Sequence, residues 1–183
     1  MPEAGPIRSF RGVVAAGLFL ALAGCAAAEI PAPVGASVPV CRDDLALLQG
    51  GDGRWHRFRI ELADTAADRA RGLMFRRDLA RDQGMLFVYP APQNVAFWMR
   101  NTLIPLDMLF FDAAGRITRI HENARPLDET PIPGGSAVRF VLEIPGGQAR
   151  AQGLRVGDRL AHPAVTPAQA ALPCPPAGSA PAP

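Results

Sequence analysis

The stretch "FWMRNTLIPLDMLFFD", Phe97 to Asp112, decides the fold, because it reads as two strands of a sheet interior joined by a turn. Strand alternation sets Val95, Phe97 and Met99 on one face of the first strand. In the second, Leu106, Met108 and Phe110 share a face, and Asp107, Leu109 and Phe111 share the other. Asp107 therefore sits beside residues that ought to be buried. An ionised group taken out of water costs several kcal/mol unless it is paired and hydrogen-bonded. The stretch is either a structural polar network or the wall of a site. A carboxylate at position 107 calls for a guanidinium, with Arg100 or one of Arg69, Arg71, Arg76 and Arg77 as the donor.

Outward from this pair, short strands and turns continue in both directions. "HRFRIELAD", His56 to Asp64, alternates, with Phe58, Ile60 and Leu62 on the buried face. "DTAADRARGLMF" predicts a short helix with Asp64 as N-cap and Gly72 near its end. "MLFVY" predicts a strand stopped by "PAP", and "VAFWM" the next. "DAAG", Asp112 to Gly115, predicts a hairpin loop with "RITRI" as the returning strand. "VRFVLEI", Val138 to Ile144, is another strand, followed by a short helical "QARAQG" and a closing "GDRL". Many short strands with brief helices between them predict an α+β single domain with a mostly antiparallel, strongly curved, barrel-like sheet.

The ends read differently. Arg8 and Arg11 precede "GVVAAGLFLALA", an apolar run of 12 residues, the length of a signal-peptide core and too short to span a bilayer. "LAGC", Leu22 to Cys25, follows it and resembles the lipobox of bacterial lipoproteins, in which the Cys carries the lipid. Ordinary cleavage after "AAA", Ala26 to Ala28, is the alternative and would release a soluble periplasmic protein. The expected organisation is a signal peptide over 1–24, a flexible tether over 25–54, a folded domain over 55–163 and a Pro/Ala-rich tail over 164–183. Within the tether, "RDDLALLQ" is a candidate short helix. If Cys25 carries lipid, Cys41 and Cys174 remain as an even pair, either as a disulfide closing nearly the whole mature chain or as two thiols in loose ends. An envelope location favours the bond.

Charge excludes some chemistry. All 19 basic residues are arginine, so Schiff-base catalysis has no amine. Removing residues 1–24 takes two Arg and one Glu, and the net charge falls from +2 to +1, no footprint for nucleic acid. His56, His121 and His162 have no metal-ligand spacing, and no nucleophile motif is present. Met74, Met85, Met99 and Met108 fall in one region, yet without Met-x-x-Met or His-Met spacing they read as core filler before copper ligands. No cofactor or metal is expected. "DRARGLMFRRDLARD" interleaves five arginines with three aspartates, which can match most of its charge locally. Asp107 and Glu143 would form an acid/base pair if the fold joined them, although a structural role suits Glu143 better at its strand end.

"DRARGLMFRRDL", "GMLFVYP", "FWMRNTLIPLDMLFFD", "VLEIPGG" and "GLRVGDRL" together resemble the prokaryotic family known as domain of unknown function 192, over roughly Arg57 to Leu160. Asp68 stands where that family often has Glu, and Arg100 where Lys is common. The resemblance implies a small, frequently exported α+β domain with a curved sheet, and no established activity. It also implies which positions matter, among them Arg69, Gly72, Arg76, Gly84, Trp98, Asn101, Pro105, Asp107, Glu143 and Asp158. Glycine and proline have backbone reasons to be there. Arg69, Arg76, Trp98, Asn101 and Asp107 do not, and they form the candidate site.

Three functions follow from that choice. The first is a non-enzymatic envelope module that binds a small polar or anionic ligand, a saccharide among the candidates, with arginines holding it and Trp98 stacking. The second is an envelope-polymer hydrolase or lyase with Asp107 as base and Arg76 stabilising negative charge. In the third, an Asp107–arginine pair only fixes strand register, and the domain acts through a protein partner. In each case lipid on Cys25 is the expected tie to the membrane, with a soluble periplasmic form as the alternative.

Overall fold

Phe97 ends one strand and Leu106–Phe111 forms another after a turn, as expected, but the two are not neighbours in the sheet, because a third strand runs between them. The structure, a computed structural model, describes residues 40–174. Seven strands form one sheet: β1 (Leu45–Gln49), β2 (Trp55–Ala63), β3 (Gln83–Phe97), β4 (Leu106–Phe111), β5 (Ile117–Ala124), β6 (Ile132–Pro145) and β7 (Arg159–Ala161). Their order is β5-β4-β6-β3-β2-β1-β7. All pairings are antiparallel except β2 with β3. A parallel pair needs a crossover, supplied by the segment carrying helix α1 (Ala66–Arg71). A second short helix, α2 (Gln148–Ala151), follows β6.

The sheet curls into a half-barrel. Its two edges meet: Arg116 bridges Arg159, and the Leu160 N–H donates to the Gly115 carbonyl at 2.7 Å. Gly115 has φ +77°, and a Cβ there would stand 2.9 Å from the Leu160 carbonyl oxygen, so both the hairpin and the closure need glycine. Core residues lie on both faces. One face packs Leu86, Leu109, Phe111, Phe140, Leu142 and Ile144; the other packs Met85, Phe87, Met99, Met108, Phe110 and Val141. β4 is buried at every position, as expected of a strand apolar on both faces.

Several boundaries differ from the sequence reading. "LALLQ", expected in the tether as part of a short helix, is β1, with Ala46, Leu47 and Leu48 fully buried between β2 and β7. An apolar run this short carries no period that separates helix from strand. The folded part therefore starts before residue 55. It also extends past 163: Val165 packs into the core, and Cys174 is bonded to Cys41, with Cα atoms 5.6 Å apart. "MLFVY" and the "VAF" of "VAFWM" are one strand, which ends at Phe97, because Pro90 and Pro92 fall in an exposed gap between the paired residues Val88 and Gln93, where no ladder N–H is required. Thr65, not Asp64, caps α1, its side chain accepting from the Asp68 N–H. The expected signal peptide, Cys25 and the chain beyond Cys174 lie outside the described residues.

Candidate functional site

Glu143 lies on β6 between two methionines, with Met85 of β3 and Met108 of β4 as its register partners. It is 4% exposed, and among the described residues its carboxyl has no hydrogen-bond or ion-pair partner. Burial alone pushes its pKa from the ordinary 4.5 up to about 8. The chain passes over it at Gly72, whose φ of +50° ends α1; a Cβ there would meet the Phe87 ring at 3.2 Å and the Glu143 Oε2 at 4.0 Å. On the other side, Gly84 lets β3 approach, since a Cβ would stand 2.4 Å from the Glu143 carbonyl oxygen.

A cleft of about 260 Å³ opens above this carboxyl. Its walls are Arg69 and Arg71 from α1, Leu73 and Met74 beyond it, Phe87, Tyr89 and Phe97 from β3, then Trp98 and Thr102. Aromatic packing fixes the walls. Phe97 stands edge-on to Phe87 at 5.1 Å and to Phe110 at 5.8 Å. The Arg69 guanidinium lies 5.3 Å from the Tyr89 ring centre, and its Nη1 donates to the carbonyls of Val88, at 2.8 Å, and Asp64. Burial raises the Tyr89 phenol, the Arg69 charge opposes this, and Glu143 adds to it. Trp98 is half exposed at the mouth, with Arg100 5.9 Å from its ring.

Of the five residues chosen from sequence, the cleft gathers Arg69 and Trp98. Arg76 lines a neighbouring depression and pairs with Glu61. Asn101 sits in the turn at φ +55°, its carbonyl accepting from the Phe75 N–H at 2.8 Å. Asp107 is on the opposite face of the sheet and fully buried, and its expected guanidinium is replaced by three backbone donors. Oδ1 accepts from the N–H of Asn123 at 2.7 Å and of Gly147 at 2.9 Å, and Oδ2 from that of Ala149 at 2.7 Å. These bonds pin the start of α2 and the end of β5 to β4. With its oxygens committed to main chain, Asp107 is not placed to act as a base. Nor does it pair with Glu143, because register sets Asp107 opposite Ile144 and Met108 opposite Glu143, which turns the two carboxyls to opposite faces. Asp158 resembles Asp107 in accepting from the N–H groups of Gly51 and Arg155.

The sequence reading gave Glu143 a structural role, whereas the structure seats it at the base of the cleft. The signal was the same one that drew attention to Asp107: an acid in the middle of "VLEI", a run apolar on both faces. Met85, Met99 and Met108 are buried together in one core cluster. Among the described residues no group of His, Cys, Asp and Glu could hold a metal ion.

With this fold and cleft, the chain is an α+β domain of curled-sheet type. It belongs to the domain of unknown function 192 family, described as "Uncharacterized ACR", which matches residues 47–162. Among the crystal structures similar to it are two of bacterial proteins. One is of a "putative transcription regulator" from Sinorhizobium meliloti, 40% identical, covering 68% of this chain and 96% of that one, with a TM-score of 0.63. The other is a protein of unknown function from Novosphingobium aromaticivorans, 41% identical, covering 68% and 93%, with a TM-score of 0.61. No curated protein matches.

Proposed function

We propose that this protein is a cell-envelope lipoprotein whose domain binds a small polar or anionic ligand in the cleft above Glu143, without catalysing a reaction on it. The observation that carries the reading is the Glu143 carboxyl, buried without a protein partner and facing a cleft walled by aromatic rings. An unpaired buried acid is costly, and a fold that keeps one at the base of a cleft gains from it when a ligand supplies the missing partner. Arg69 at the wall offers positive charge, and Trp98 an exposed ring face for stacking. The lipobox-like "LAGC" supports attachment through Cys25, and the Cys41–Cys174 disulfide supports an oxidising compartment.

The test is native mass spectrometry of the protein purified from its own membrane, set against its denatured mass. A ligand appears as an adduct lost on denaturation, while lipid on Cys25 stays with the denatured chain. Ala96→Trp, a substitution at an exposed position lining the cleft, should fill the space and abolish the adduct. Identical native and denatured masses in the wild-type protein would refute ligand binding. A denatured mass without lipid would refute the anchor.

A further inference from the structure

The two ends of the cleft carry opposite chemistry. At its base is the Glu143 carboxyl, without a donor from the protein; at its rim are half-buried Arg69 and exposed Arg71. Arg69 spends only Nη1 on the carbonyls of Asp64 and Val88, so Nε and Nη2 have no hydrogen-bond partner among the described residues. The rings of Phe87, Tyr89, Phe97 and Trp98 line the same cleft. We infer that the ligand is a small zwitterion of the amino-acid class, its ammonium group held by Glu143 and its carboxylate by Arg69. The inference rests on the binding function proposed above and names the ligand class for the same site.

Each half of such a ligand answers one unfilled end. An ammonium supplies the N–H donors that Glu143 lacks. A carboxylate matches the free edge of a guanidinium, which can donate to both of its oxygens. Either half alone answers only one end: a plain amine meets the positive rim, and a plain carboxylate leaves Glu143 without a charged partner. Specificity for the zwitterion thus arises from rejection as well as attraction. At about 260 Å³ the cleft is below the usual range for drug-sized ligands, which suits a molecule of amino-acid size and excludes a polymer segment bound along its length.

The charged and titratable groups lining the cleft with Glu143 are Arg69 and Arg71 from α1 and Tyr89 from β3. β4 contributes Met108 beside it, and the loop after β3 contributes Trp98 and Thr102. Binding an ammonium requires the ionised carboxylate, so Glu143 must give its proton to solvent. With the empty site titrating at about 8, affinity should rise about tenfold from pH 6 to pH 7 and level off above pH 8. A neutral ligand accepting from the protonated acid would show the reverse slope.

The experiment is calorimetric titration of the full-length protein in detergent with β-alanine, γ-aminobutyrate and ε-aminocaproate, against n-butylamine, butyrate and butanamide. At least one amino acid is expected to bind about tenfold or more tightly than every single-charge or neutral probe. Glu143→Gln, with its fold checked by near-ultraviolet circular dichroism, should lose that affinity and its pH slope. Equal or tighter binding of butyrate or butanamide, or affinity falling above pH 8, would overturn the zwitterion and leave the cleft a binding site. If no probe binds while the native adduct persists, the zwitterion is again overturned and the binding function stands. If the adduct is missing too, both are refuted.

Discussion

Replacing Glu143 by Gln should make the protein more stable, and increasingly so as pH rises. The folded carboxyl holds its proton up to about pH 8, whereas in the unfolded chain it ionises near the ordinary 4.5. Between those values the folded state binds the extra proton, so unfolding free energy falls by about 1.4 kcal/mol for each pH unit. Stability linked to this group is complete below pH 4.5 and lost as pH approaches 8, about 5 kcal/mol over the whole window. At pH 7 the cost is already about 3 kcal/mol, a large part of the roughly 5–15 kcal/mol that holds an ordinary domain together. Gln has nearly the same shape and no charge to desolvate. Urea unfolding of both proteins, disulfide intact, at pH 5 and pH 8 isolates the effect, because the other titrating groups cancel in the difference. The advantage of Glu143→Gln should grow by about 3 to 4 kcal/mol between the two, with the denaturant slope unchanged. A difference that stays flat to within about 1 kcal/mol would mean that the carboxyl ionises as readily in the fold as outside it, and the reasoning would fail.

Asp107→Ala should destabilise by about 3 kcal/mol or more, since each of the three stranded N–H groups costs about 1–3 kcal/mol when buried without an acceptor. Urea unfolding at pH 7 measures it, and a loss under about 1 kcal/mol would show that water satisfies those amides. Reducing the Cys41–Cys174 bond should cost up to about 5 kcal/mol, the chain-entropy value for cysteines 133 residues apart. Thermal unfolding with and without dithiothreitol tests this, and an unchanged midpoint would show that the ends are as constrained without the bond.

Much of the fold was legible because its strands obey simple alternation. The two faces assigned to residues 95–99 and 106–111 are the two faces of the sheet, and Gly72 and Gly115 stand at the turns their missing Cβ predicts. β1 was illegible for the opposite reason, since four apolar residues in a row show no preferred face until β2 and β7 flank them. The anomaly at Asp107 was visible in sequence, but its partners were not. They are main-chain groups 16, 40 and 42 residues away, and a backbone N–H leaves no mark on amino-acid identity. Side-chain reasoning supplied an arginine where the fold supplies amides. Glu143 shows the converse difficulty. What distinguishes it is the lack of a partner, which can be recognised only once its neighbours are in place.

The disulfide also determines how the domain would respond to force. Cys41 and Cys174 sit next to the two ends of the described chain, and a covalent bond joins them. Tension applied between residues 40 and 174 runs along that short bypass and leaves the seven strands unloaded. Once the bond is reduced, the same pull acts on β1 first at one end and on the segment beyond β7 at the other. β1 and β7 are neighbours at one margin of the sheet, so the domain would begin to peel there. Under such a pull the oxidised form is a knot and the reduced form a zip.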